Sequence, residues 1–194
     1  MRILLIQFIL ASFVIMGCST TQPTQSKSKA SFADLALSRD VTSDERKKSE
    51  AALEQAGDMA IQRGELQTAF LQYEKASALN QDSAQLHYKK GVILMSMKKY
   101  PDAIKELQTA VKIDPEHELA HQALGQCQFF SAKYDQAKSH LKKAISLNER
   151  LWRAYNLLGV IYDYEERFSQ ARDAYQASIL IKPENGELYK NLAV

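Results

Sequence analysis

Beyond Thr42 the apolar residues recur three and four positions apart in segment after segment, which is the spacing of one buried stripe on an α-helix. Short polar runs separate the segments, and the pattern predicts paired helices at about 43 to 62 with 65 to 79, 83 to 97 with 100 to 113, 117 to 131 with 134 to 147, and 151 to 165 with 168 to 181. A ninth helix begins near Asn185. Thr42-Ser43-Asp44-Glu45 reads as a capping box that starts the first helix, with threonine accepting from an orphan amide and glutamate reaching back three residues.

The segments are copies of one another. Glycine recurs at Gly57, Gly91, Gly125 and Gly159 and alanine at Ala69, Ala103, Ala137 and Ala171, always 34 residues apart. Leu66, Tyr100, Tyr134 and Phe168 form a column at the start of each second helix, and Tyr73, Leu107, Leu141 and Tyr175 a column inside it. Small residues are needed where two helices of a pair cross closely, and large ones fill the space around them. Ala76, Ala110, Ala144 and Ser178 are expected to meet the next pair. No such pair buries enough surface alone, so stability must come from stacking neighbours.

A helix-turn-helix unit of 34 residues with these columns resembles the tetratricopeptide repeat (TPR). The resemblance covers four repeats, about 50–83, 84–117, 118–151 and 152–185, and a partial fifth over 186–194. It implies an all-α fold, a right-handed superhelical α-solenoid, occupying 42–194. Gln81 and Glu149 stand where Pro115 and Pro183 end the other repeats. The fifth copy, with Tyr189, Leu192 and Ala193, begins a first helix without a second, so further repeats or a partner are expected at that edge.

In this family the first helices line a concave surface that binds peptides or partner helices. The repeat frame then assigns Tyr88, Val92, Met95, Gln122, Gln126, Phe129, Phe130, Arg153, Asn156, Val160, Asp163 and Tyr164 to a partner-binding groove, apolar and amide-bearing. Phe129 and Phe130 serve equally well as packing between repeats. Aromatic anchors suit protein recognition. The lysine and asparagine pattern with which some TPR domains clamp a C-terminal carboxylate is absent from the corresponding places, Glu54, Asp58, Lys89 and Leu119.

The N-terminus is of another kind. Arg2 precedes an apolar run from Ile3 to Met16, interrupted by Gln7 and Ser12. At about 1.5 Å per residue it falls short of a ~30 Å hydrocarbon core, and it reads as a signal peptide over residues 1–17. Ile15-Met16-Gly17-Cys18 resembles a bacterial lipobox, which implies cleavage before Cys18, a diacylglyceryl thioether on its sulfur and acylation of the new amine. A plain secretory signal that contains a cysteine is the alternative. Residues 18–41 would form a lipidated tether, polar from Ser19 to Ser31 with a short helix over Phe32 to Leu37. Several acyl chains hold a protein in a membrane durably. Ser19 is not the aspartate that retains lipoproteins in the inner membrane, so the resemblance implies the outer membrane, facing the periplasm.

Composition narrows the chemistry. The formal net charge is +2 with both signs interspersed, which lacks the basic field a nucleic acid requires. Of two cysteines, Cys18 goes to lipid if the lipobox resemblance holds, and Cys127 is expected as a small buried hydrophobe. His117-Glu118-Leu119-Ala120-His121 matches the H-E-x-x-H zinc motif. Its context points elsewhere, because His121 occupies the packing column of Leu53, His87, Tyr155 and Tyr189, and His117 sits solvent-exposed at a helix start. His87 and His140 have no metal partners in the sequence. The expectation is a protein without catalytic residues, cofactor, metal or small-molecule substrate.

The fourth repeat, with Leu158-Gly159-Val160 in its first helix, Ala171-x-x-x-Tyr175 in its second and Asn191-Leu192-Ala193 after it, is similar to the tight-adherence (Flp) pilus assembly lipoproteins. That implies a membrane-anchored scaffold recruiting pilus or secretion components through the groove. The alternatives are the lipoproteins that help a type IV pilus secretin assemble, and adaptors that regulate envelope peptidases or peptidoglycan enzymes.

Overall fold

The structure is a computed structural model and describes residues 42–192; the expected signal peptide, the lipidation site at Cys18 and the helix over Phe32 to Leu37 lie outside them. The described residues form α1 (Ser43–Gln62), α2 (Leu66–Leu79), α3 (Ala84–Ser96), α4 (Tyr100–Ile113), α5 (Glu118–Phe130), α6 (Tyr134–Leu147), α7 (Trp152–Tyr164), α8 (Phe168–Ile181) and α9 (Gly186–Leu192). Each expected boundary falls within one residue of these. Among the described residues there is no strand, and no helix is long and apolar enough to cross a membrane.

Helices pack in sequence as hairpins α1–α2, α3–α4, α5–α6 and α7–α8, and each second helix then packs on the first helix of the next hairpin. First helices also touch one another, α3 with α5 and α5 with α7. The result is an all-α solenoid. Its core is a succession of clusters, one of which runs from α3 to α5 through Leu94, Ala103, Leu107, Leu124 and Cys127.

The glycine column explains how closely the hairpins shut. A Cβ on Gly91 would sit 2.6 Å from Leu107 Cγ, and one on Gly125 2.7 Å from Leu141 Cγ. At Gly57 and Gly159 the obstacle is the ring of Tyr73 or Tyr175, in both cases at 2.4 Å. Those contacts are far inside van der Waals distance, so the glycines and the column one helix later are a single fitted unit. Ala69, Ala103, Ala137 and Ala171 are all buried, as are Ala76, Ala110, Ala144 and Ser178. One member of a large column departs from its expected role: Phe168 is 67% exposed, whereas Tyr100 packs on Phe130 of α5 and Tyr134 on Tyr164 of α7.

The caps set the frame. Glu45 N–H donates to Thr42 Oγ1 at 3.3 Å while Thr42 N–H donates to Glu45 Oε2 at 3.0 Å, completing the box. At the other end of each first helix, one residue takes a left-handed conformation: Gly64, Lys98, Ala132 and Glu166, with φ between 56° and 76°. Its N–H and the next one bond back to the last turn, as in Ala132 to Phe129 at 2.9 Å and Lys133 to Gln128 at 2.8 Å. This is a Schellman stop repeated four times, and it turns the chain into the second helix.

Candidate protein-binding groove

The face shared by α3, α5 and α7 carries the residues that the repeat frame assigns to a groove. Gln122 and Gln126 from α5 meet Arg153 and Asn156 from α7 around a depression of about 220 Å3, whose remaining walls are Trp152 and Leu157. Arg153 is exposed, its guanidinium lies 4.4 Å from the Trp152 ring centroid, and it has no ion pair among the described residues. Asn156 Oδ1 accepts from Asn191 Nδ2 at 2.8 Å, which ties α9 to the rim.

A continuous run of rings lies toward the C-terminal ends of α5 and α7. Tyr100 and Phe130 stack at 5.1 Å, Phe129 meets Phe130 edge-on at 5.5 Å, Phe129 lies 5.8 Å from Tyr134, and Tyr134 lies 4.8 Å from Tyr164. Phe130 and Tyr164 are 51% and 69% exposed, so this shelf keeps large apolar area in water. Tyr88, Val92 and Met95 instead rest half-buried on the α3–α5 core, and Val160 and Phe129 do so on the α7–α8 core. Burial chiefly holds the Tyr88 phenol above its usual range, with the Glu118 charge adding to that and the Arg153 charge opposing it. Asp163 faces inward, accepting from Tyr175 Oη at 2.6 Å.

Nearer the N-terminus the same face is already satisfied. Lys89 Nζ pairs with Glu54 at 2.8 Å and with Asp58 at 2.7 Å, and the Tyr73 hydroxyl also donates to Asp58. Partial burial works against the Asp58 carboxylate, yet the Lys89 ammonium and the Tyr73 hydroxyl outweigh it and hold the carboxyl below its usual range. The lone lysine is thus occupied by the protein's own acids.

The histidines of the H-E-x-x-H match are engaged as structural groups. His117 caps α5, its Nδ1 accepting from Ala120 N–H at 3.3 Å, and its Nε2 lies 3.1 Å from Gln85 Oε1. Its ring packs 4.8 Å from Tyr88, so it is half-buried where the sequence suggested exposure. His121 is buried; its Nε2 donates to the Pro115 carbonyl at 3.1 Å, which leaves Nδ1 to accept from His140 Nδ1 at 3.0 Å. One repeat earlier His87 makes the same two contacts, to Gln81 O at 3.2 Å and Glu106 at 2.7 Å. Cys127 is fully buried and its thiol is pushed up to about 12, an inert group. Trp152 and the ring partners Tyr100 and Tyr134 went unassigned to the groove in the sequence, since their columns sit at helix starts. At the turns into the next first helix, Asp114 Oδ1 accepts from Glu116 N–H and Asn148 Oδ1 from Arg150 N–H, both at 3.0 Å.

Residues 60–127 match the tetratricopeptide repeat family, and residues 120–150 and 153–185 match it again. The chain belongs to the tetratricopeptide repeat family. Among solved TPR structures, a crystal structure of MamA is 29% identical with a TM-score of 0.65, over 70% of this chain and 80% of that one. PilF of Pseudomonas aeruginosa is 21% identical with a TM-score of 0.69, over 76% of this chain and 68% of that one. The first TPR of Spaghetti, bound to the HSP90 peptide SRMEEVD, is 20% identical with a TM-score of 0.59, over 60% of this chain and 93% of that one. No curated protein sequence matches the chain. With TPR repeats matched between residues 60 and 185, the chain is a protein–protein interaction scaffold.

Proposed function

We propose that this TPR chain is a lipid-anchored scaffold of the bacterial periplasm that recruits components of a pilus or secretion apparatus, in the manner of the tight-adherence pilus assembly lipoproteins. The observation that carries the reading is the combination of a lipobox-like Ile15-Met16-Gly17-Cys18 and a polar tether with a groove that leaves Phe130, Tyr164 and Arg153 uncovered. An anchor fixes the scaffold at a membrane, and the tether lets the groove search the space beside it. A sheltered, charge-paired surface would have suited a structural spacer; an exposed aromatic shelf on the same helices as an arginine without an ion pair among the described residues suits capture of another chain.

Gene deletion, followed by scoring of surface pili and secretin multimers, tests this directly. Loss of either, restored by the wild-type gene and not by a Cys18→Ser variant that fractionates as soluble protein, is the expected result. Intact pili and multimers in the deletion strain would sink the proposal, as would membrane association of the Cys18→Ser protein.

A further inference from the structure

The face of the first helices divides by charge. On α1 and α3 the ammonium of Lys89 is neutralised by Glu54 and Asp58, at 2.8 Å and 2.7 Å, and the hydroxyl of Tyr73 donates to the Asp58 carboxylate. On α5 and α7 the charge of Arg153 is unmatched among the described residues, and the side-chain amides of Gln122, Gln126 and Asn156 converge with it on one depression. A guanidinium 4.4 Å from the Trp152 ring centroid and without an ion pair can offer its N–H groups to a planar two-oxygen acceptor. Amide donors beside it complete the fit to a carboxylate, whereas a lysine or arginine arriving there would meet like charge.

The aromatic shelf lies at the other end of the same helices. Arg153 and Tyr164 stand eleven positions apart on α7, roughly 16 Å at about 1.5 Å per residue. Gln122 and Phe130 stand eight apart on α5, roughly 12 Å by the same rise. An extended chain advances about 3.3 Å per residue, so roughly four or five residues span the two subsites.

We propose that the groove over α5 and α7 selects an extended acidic peptide segment, its carboxylate held by Arg153 with Gln122, Gln126 and Asn156, and an aromatic side chain four or five residues away seated on Phe130 and Tyr164. This rests on the reading of the first-helix face as the recognition surface and names what that surface recognises. The N-terminal half, around Lys89, contributes no binding.

Trp152 is the chain's one tryptophan and lines the depression, so its emission reports occupancy without a label. The full-length chain is titrated with nine-residue glycine–serine peptides that carry a phenylalanine and a glutamate four residues apart, in both orders. One order should shift Trp152 emission saturably. Replacing its glutamate by glutamine, or its phenylalanine by alanine, should each raise Kd about tenfold, the scale of a charge-assisted hydrogen bond or a buried ring. Arg153→Gln and Tyr164→Ser, both at exposed positions, should do the same with unchanged far-ultraviolet circular dichroism, and Lys89→Gln should leave Kd unaltered. Binding that ignores the glutamate, or that prefers a lysine in its place, overturns the inference while leaving the groove as the recognition face. No emission change with any peptide overturns it too, and the pilus and secretin phenotypes then decide the broader function independently.

Discussion

The hairpins α3–α4 and α5–α6 share the glycine, alanine and leucine columns at their helix crossing and differ in nearly every column that meets solvent. A Cβ on Gly91 would meet Leu107 in one and a Cβ on Gly125 would meet Leu141 in the other, at 2.6 Å and 2.7 Å, with Ala103 and Ala137 buried beside them. On the open face, however, Tyr88, Val92, Met95 and Ser96 of the first become Gln122, Gln126, Phe129 and Phe130 of the second. Even the buried imidazole at their common position meets a carboxylate in one, Glu106, and a second imidazole in the other, His140. Packing is duplicated because each repeat must stack on its neighbours; surface chemistry is free to diverge because stacking does not depend on it.

The largest effect that can break this comparison is truncation of the shared column. Leu107 and Leu141 are both fully buried, so Leu107→Ala and Leu141→Ala should each cost about 2–5 kcal/mol through lost contacts and a residual cavity. The two costs should agree within ~1 kcal/mol, since the glycine opposite allows each site the same limited collapse. Urea denaturation of both variants gives the answer. A difference of several kcal/mol would mean that the hairpins differ in stability as well as in surface, and the divergence of their open faces would need another explanation.

The same distinction decides what could be read from the sequence. Columns that recur every 34 residues fix helices, crossings and turns by repetition, and Gly57 to Gly159 are enough to place all of them. The groove assignments followed from the same frame, and the frame put Gln122, Gln126, Arg153 and Asn156 where they converge. What stayed hidden was pairwise. Nothing periodic announces that His121 would meet His140, that Glu54 and Asp58 would consume Lys89, or that Tyr134 would link Phe129 to Tyr164. Such contacts depend on how side chains from different columns lean across a gap, which one chain's spacing does not encode. The H-E-x-x-H match shows the reverse hazard: the repeat assigned His121 to packing and His117 to an exposed helix start, and the structure engages them in a buried pair and a helix cap.

The His121–His140 pair makes the second of these hairpins sensitive to acid. Burial first, and then the neighbouring charge of Lys143 and the His117 ring, lower the His121 value, against the Pro115 carbonyl and Asp114, which raise it. His140 is lowered by burial and by His121. Groups whose folded values lie below an unfolded value of about 6.5 bind fewer protons in the folded chain, so stability is fully present above that pH and is lost as pH falls through it. Adding the proton to His121 Nδ1 also breaks the bond from His140. The denaturation midpoint should therefore drop between pH 7.5 and 5.5, and a His140→Gln variant, which keeps a donor without the charge, should lose less. Equal acid sensitivity in the two proteins would remove the pair from the account.

The smallest effect sits in the turns between the helices of each hairpin. The left-handed residue of the first repeat is Gly64, and its equivalents are Lys98, Ala132 and Glu166, each with positive φ. A Cβ in this conformation costs about 1 kcal/mol, and glycine relieves that at the expense of a freer unfolded chain. Ala132→Gly should accordingly stabilise by about 0.5 kcal/mol, and Gly64→Ala should destabilise by about 1 kcal/mol although an added Cβ there meets nothing within 4 Å. The asymmetry isolates backbone strain from contact, since neither substitution alters packing. If Ala132→Gly instead destabilised the chain, the bonds from Ala132 to Phe129 and from Lys133 to Gln128 would be holding α5 against α6 less firmly than their lengths of 2.9 Å and 2.8 Å imply. The turn that positions Phe129 and Phe130 at the edge of the groove would then be a yielding joint, and the sharp division between a fixed scaffold and a variable face would fail at that point.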